Sequence, residues 1–205
     1  MYMSRCALFV LLLMGAVAAR AQQIEVAGTA NVTVSPDGKA FISCGEAIRC
    51  SIPPGTIGSA SVGGGLSWQG SFAYRLANLR AAALYAELPV SGSPSRSTGL
   101  FSEYSSIFLT PSLQFKFLPG GRVSPFASVG GGLAHFHEVR GGASANIGAF
   151  QFGGGVDFRT PLRVLSIRTE VRDFVTGRPG IEDFASFTSN HFQHIFTGAG
   201  FVLKF

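Results

Sequence analysis

Serine, histidine and acidic residues of the kinds that acyl-transfer enzymes use occur in the second half of the chain. A Ser hydroxyl activated by a His base, which is in turn oriented by a carboxylate, can attack an ester or amide bond. The candidates are Ser144 and Ser189 as nucleophiles, His135, His137 and His191 as bases, and Glu138 and Asp183 as acids. No G-x-S-x-G sequence marks either serine as a nucleophile. Because serine is abundant, we predict no catalytic site and interpret the histidines as rim or interface residues.

Two cysteines, Cys44 and Cys50, lie close together outside the first 21 residues. Nearby cysteines in an exported chain are most simply explained as a disulfide that closes a small loop. A metal site is a less favoured alternative because it would need further ligands nearby, and the first histidine of the chain is His135. We therefore predict a disulfide, no metal site and no cofactor.

The sequence Ser-Val-Gly-Gly-Gly-Leu occurs twice, at 61–66 and 128–133. Glycine-rich loops cradle phosphates when a helix begins directly after them, and no helix start follows either copy. We interpret both runs as strand glycines that allow tight curvature or close approach of neighbouring strands.

The amino-terminal residues 1–21 have the pattern of a secretory signal. A basic start at Arg5 precedes a short apolar stretch, and Ala19-Arg-Ala21 provides an A-x-A cleavage sequence. Removal of Arg5 and Arg20 lowers the net charge from +5 to +3. With no basic stripe or nucleic-acid-binding motif, we predict no nucleic-acid partner. The mature domain is predicted to be residues 22–205.

The mature chain is apolar without containing a helical membrane span. Its sequence is 46% hydrophobic and only 13% charged, yet no run of 18 apolar residues occurs. These features leave a heavily buried soluble β-protein or a barrel whose outer face contacts lipid.

Apolar residues alternate with polar or small residues along the chain. In 163–175, Leu165 and Ile167 lie on one face while Arg168 and Glu170 lie on the other. The eight predicted strands are residues 24–34, 61–75, 79–90, 105–117, 124–137, 147–159, 163–175 and 193–205. The alternation is weak in 79–90 and 124–137, so the facing of these two strands stays open.

The predicted connections alternate between short and long, as in transmembrane barrels with short turns at one end and long loops at the other. The predicted tight turns are 76–78, 118–123 and 160–162. The predicted long links are 35–60, 91–104, 138–146 and 176–192. The sequence therefore predicts an all-β protein, an eight-stranded antiparallel up-and-down transmembrane β-barrel.

The terminal run Gly198-Ala-Gly-Phe-Val-Leu-Lys-Phe205 resembles the closing strand of bacterial outer-membrane barrels. The glycine-rich runs 124–133 and 152–159, together with 165–174, resemble strands of OmpA/OmpX-like eight-stranded barrels. This resemblance implies an outer-membrane location and an assembly signal formed by Phe201, Leu203 and Phe205. It also implies contact with outer-membrane lipid and with the outer-membrane assembly machinery. We expect the protein to be a monomer.

An eight-stranded barrel has an interior that side chains fill, so we expect no wide pore. Strand alternation predicts that ten charged residues point inward: Glu25, Arg75, Glu87, Lys116, Asp157, Arg159, Arg168, Glu170, Arg172 and Lys204. Across the turn after 159, we expect Gly155 near Arg168 and Gly153 near Glu170, where glycine leaves room for a long side chain.

The predicted function is a structural or surface-interaction role in the outer membrane, without enzymatic activity. One alternative is a lipid A acyl enzyme, because some eight-stranded barrel families modify lipid A. The other is a soluble lipocalin-like carrier, whose apolar face would point inward around a hydrophobic ligand.

Overall fold

The protein is a closed antiparallel β-barrel in the computed structural model, which describes residues 23–35, 38–42, 56–60, 64–98, 101–139, 142–162, 164–180 and 190–205. The predicted signal segment, Cys44, Cys50, Asp183 and Ser189 lie outside the described residues. The strands are β1 (Ile24–Val34), β2 (Gly38–Ile42), β3 (Thr56–Ala60), β4 (Gly65–Leu79), β5 (Ala82–Thr98), β6 (Phe101–Leu109), β7 (Ser112–Phe117), β8 (Val123–Glu138), β9 (Ser144–Arg159), β10 (Leu165–Gly177) and β11 (His191–Lys204).

Eight wall strands close the barrel, which confirms the predicted fold class. Each wall strand pairs antiparallel with its sequence neighbours, and β1 pairs with both β4 and β11. β6 and β7 together form one wall strand, since each pairs with β5 and with β8. Pro111 lies between them, and a proline has no N–H to donate to the ladder. β2 and β3 form a separate hairpin within the first long link.

The first tight turn lies at Arg80–Ala81, so the prediction of a turn at 76–78 was wrong. The alternation does break at Leu76, but the chain accommodates the extra residue as a bulge between Arg75 and Ala77 and continues pairing to Leu79. A local break in alternation is therefore not sufficient to locate a strand end.

One of the predicted long links is largely strand, and another is shorter than predicted. β5 continues to Thr98 and β6 begins at Phe101, although 91–104 was predicted as a loop. Ser93 still pairs with Ser106 in this region, with register shifts beyond it. The predicted link 138–146 is likewise shortened, to the interval between the ends of β8 and β9. Backbone pairing in these ribbons overrides their Ser, Pro and Gly composition.

Two faces of opposite character result from the alternation. Large apolar side chains cover the outer face, including Leu66 at 76% exposure, Trp68 at 49% and Phe150 at 51%. The inner face buries polar and charged groups such as Arg168 and Lys116. No helix in the described part of the chain is both long and apolar enough to cross a membrane.

Candidate functional site

The interior half next to the tight turns contains a buried group of ion pairs, which we call the ion network. Its members are Glu25, Glu87, Lys116, Asp157, Arg168, Glu170, Arg172 and Lys204. They come from β1, β5, β7, β9, β10 and β11, so the network ties together strands distant in sequence. Four carboxylates face four cations, and the network has no net formal charge.

Lys116 on β7 is fully buried and lies at the centre of the network. Its Nζ donates to Glu25 and lies 2.7 Å from an Asp157 carboxylate oxygen. Arg168 holds the same Asp157 in a two-point contact, with Nε to Oδ1 at 2.7 Å and Nη2 to Oδ2 at 3.1 Å. A buried charge is tolerated when it is both paired and hydrogen-bonded, and this arrangement meets both conditions.

Arg172 forms the second centre of the network, closer to the barrel middle. Its guanidinium contacts Glu87 at 2.7 and 3.1 Å and Glu170 at 3.1 Å. Neutral side chains donate further hydrogen bonds to the carboxylate oxygens. Thr29 and Gln69 donate to Glu170 at 2.8 and 2.7 Å, and Ser112 donates to Glu87 at 3.1 Å.

Glycines opposite the long side chains provide the room that the network needs. Gly155 faces Glu170 and Gly153 faces Arg172 across β9 and β10, two residues away from the predicted register. Arg168 instead faces Asp157. A Cβ at position 155 would lie 2.1 Å from the Thr169 carbonyl oxygen, so this wall position requires glycine.

Two residues predicted to belong to the network lie outside it. Arg159 is exposed at the end of β9, where its guanidinium donates to the Gly120 carbonyl at 3.1 Å. Strand alternation assigns the Arg159 side chain to the inner face, but the inner face is open to solvent at the rim of the barrel. Arg75 is half-buried and donates to the Tyr85 hydroxyl at 2.8 and 3.0 Å. Tyr85 links Arg75 to the network, because Lys116 Nζ lies 5.1 Å from its ring centroid.

The interior half next to the long links contains an apolar group that sequence reasoning missed. We call it the aromatic cluster: Tyr104, Phe108, Phe136, Phe174, Phe192 and Phe196. Phe108 lies 4.7 Å from Phe174 and 5.7 Å from Phe196, measured between ring centroids. The available signal was alternation, since Phe174 shares a face with Arg168 and Arg172 on β10.

The candidate acyl-transfer residues that the structure describes are distributed over both faces of the barrel wall. His135 and His137 project outward, whereas Glu138 alternates to the inner side of the same strand. His135 Nδ1 lies 2.7 Å from Asn146 Oδ1, and Ser144 lies opposite His137 on β9. His191 is exposed on β11. Within the described ranges, no group of three or more His, Cys, Asp or Glu residues is placed to hold a metal ion.

The terminal strand places Phe201, Leu203 and Phe205 on the exposed outer face. β11 pairs along its length with β1 and β10, so it closes the barrel. The residues with which the resemblance associates assembly therefore form one continuous apolar outer stripe.

Comparisons with known proteins identify the fold. No protein-family model matches the chain, and no curated protein matches it. The crystal structure of Neisserial surface protein A is similar with a TM-score of 0.58 and 15% identity, covering 91% of this chain and 99% of that one. The outer membrane protein OprG from Pseudomonas aeruginosa has a TM-score of 0.53 and 12% identity, covering 91% and 97%. At these identities the likeness shows a shared fold, the eight-stranded antiparallel β-barrel.

Proposed function

We propose that this chain is an integral protein of the bacterial outer membrane with a structural or surface-interaction role, a lumen filled by side chains and no wide pore. The observation that carries the proposal is the distribution of side chains, with ion pairs inside and large apolar groups outside. A soluble carrier requires the reverse distribution. The lipocalin-like alternative is therefore disfavoured.

The height of the outer apolar band matches a bilayer. On β8 the outward residues are apolar or glycine from Val123 to Leu133, and polar His135 follows. A rise of about 3.3 Å per residue along a strand tilted by about 40° gives a band of about 25 Å. The band ends at a similar level on neighbouring strands, where Ser105 and Asn146 are the next outward residues.

The interior supports a closed barrel. The ion network fills the turn-side half, and the aromatic cluster fills the half next to the long links. Fully buried Gln151 lies between them and is held by Thr110 at 2.8 Å and Ser128 at 3.2 Å. Because eight strands leave space only for side chains, this filling opposes a general solute pore.

The ends of the chain and its partners belong to the same proposal of an exported membrane barrel. The fold accords with export through residues 1–21 and with a barrel domain of 22–205. It also accords with contact with lipid and with assembly through the terminal strand. A monomer accords with an apolar face that the bilayer itself covers. We propose a disulfide between Cys44 and Cys50 to brace the first long link, and no cofactor.

We propose a non-enzymatic role because the candidate residues that the structure describes do not form a complete triad, although Ser144 lies opposite His137. His137 and Glu138 are neighbours in sequence, but they project to opposite faces of β8. A triad requires nucleophile, base and acid within hydrogen-bonding reach of one another.

Conductance in a planar bilayer tests the proposed closed lumen. The purified full chain should give no porin-sized current steps, because both interior halves are filled. The Phe108→Ala/Phe174→Ala variant, which empties part of the aromatic cluster, is the matched comparison. Porin-sized steps from the unaltered protein would overturn the proposal of a closed lumen.

A further inference from the structure

An open cavity lies at the tight-turn end of the barrel, between the turn after β4 and the turn after β7. Its volume is about 460 Å³. The lining residues are Arg75, Asn78, Arg80, Leu118, Pro119, Gly120 and Gly121. We call this cavity the arginine cup. The Leu118 amide donates to the Ala81 carbonyl at 2.8 Å, which fixes the two turns against each other.

Among the described residues, the positive charge at this end exceeds the negative charge that pairs with it. The four cations of the ion network already match its four carboxylates. Arg75, Arg80, Arg122 and Arg159 are additional, and within the described residues none of them forms an ion pair with a side-chain carboxylate. A concave surface that carries one sign of charge attracts ions of the opposite sign.

The guanidinium groups at the cup keep donors available. Arg75 uses Nε and one Nη2 proton for the Tyr85 hydroxyl, which leaves three of its five N–H groups. That contact also holds its planar fork in one orientation. Arg80 is exposed at the turn and also lines the cup.

We propose that the arginine cup binds a phosphate group, either on a lipid headgroup or as a soluble phosphate ion. A phosphate presents several oxygens and up to two negative charges, so it can accept from two converging guanidiniums at once. A carboxylate is satisfied by one guanidinium fork. Leu79 and Phe117 are exposed on the outer wall beside the same two turns, where the acyl chains of a bound lipid would lie.

Titration of the full-length mature protein in neutral detergent with inorganic pyrophosphate tests the site without assuming a membrane location. Arg80→Gln should weaken binding about tenfold or more, because a hydrogen bond to a charged group is lost. Arg178→Gln is the control: it removes the same charge from the opposite end, where Arg178 contacts Asn190. Circular dichroism should show that both variants keep the barrel.

A second arm distinguishes the two sources of phosphate. Native mass spectrometry after incubation with phosphatidylglycerol or phosphatidylcholine reports lipid retention. Retention of phosphatidylglycerol that Arg80→Gln abolishes supports a headgroup site, and pyrophosphate binding without such retention supports a soluble ligand. The proposal would be overturned if neither pyrophosphate nor phosphatidylglycerol bound at millimolar concentration. Equal losses of binding in Arg80→Gln and Arg178→Gln would also overturn it, as would tighter binding of the dicarboxylate succinate than of pyrophosphate.

Discussion

The buried ion pairs should stabilise the barrel, and removing one partner of a pair should destabilise it. The pair of Arg168 and Asp157 provides the clearest test. Both side chains are at most 2% exposed and share a two-point contact. Removing one member of a buried pair costs about 3–5 kcal/mol, because the other charge stays desolvated without its partner. We expect a loss of this size in the free energy of unfolding for Arg168→Met and for Asp157→Leu.

The double variant separates pairing from simple loss of contacts. Without Arg168 and Asp157 the network retains three carboxylates and three cations, so it remains balanced. We therefore expect the double variant to lose about as much as one single variant, about 3 kcal/mol less than the sum of the two. Arg159→Met is the matched control outside the network, and it should change stability by less than about 1 kcal/mol.

Equilibrium unfolding by denaturant in lipid vesicles provides the assay. The only tryptophan of the chain, Trp68, lies on the outer face of β4 and reports insertion through its fluorescence. Curves must coincide on folding and unfolding for the free energies to be compared. A double-variant loss that equals the sum of the two single losses to within about 0.5 kcal/mol would show that pairing of Arg168 with Asp157 does not stabilise the barrel.

Further predictions concern the wall and the aromatic cluster. Trp68 fluorescence should be quenched by brominated lipid and little affected by aqueous iodide; strong iodide quenching would contradict a lipid-facing β4. Phe108→Ala should lower the unfolding free energy by about 3–5 kcal/mol, because it leaves a cavity. Outward Phe150→Ala should cost less in the same unfolding assay, and equal costs would contradict the assigned facing. Gly155→Ala should destabilise the barrel strongly because its Cβ would clash with backbone, whereas Gly28→Ala meets nothing within 4 Å and should be nearly neutral; thermal unfolding in detergent compares them.

The wall architecture was predictable because alternation has a direct physical cause. On β10, Leu165 and Ile167 had to share one face and Arg168 and Glu170 the other once the segment was extended. Strand ends were less predictable. The bulge near Arg75 depends on what the neighbouring strand offers, which a single segment does not encode.

The sequence predicted that charged side chains fill the interior, but it did not predict which of them are partners or where the aromatic cluster lies. Alternation identified the inward charges, yet only three-dimensional register shows that Lys116 on β7 meets Glu25 on β1. The aromatic cluster was missed because apolar residues were assigned to the lipid face, although Phe174 and Phe196 alternate with outward residues. Arg159 was assigned to the buried network by alternation, but a side chain on the inner face at the rim is still exposed to water.

Membrane insertion of the barrel is the central claim, and extraction of cell membranes tests it most directly. Membranes from cells that express the chain would be washed at alkaline pH, and the retained protein would be run on a gel with and without boiling. The ion pairs inside and apolar side chains outside predict wash-resistant protein whose mobility changes on boiling. Release into the wash as soluble protein, with no change of mobility on boiling, would contradict the claim.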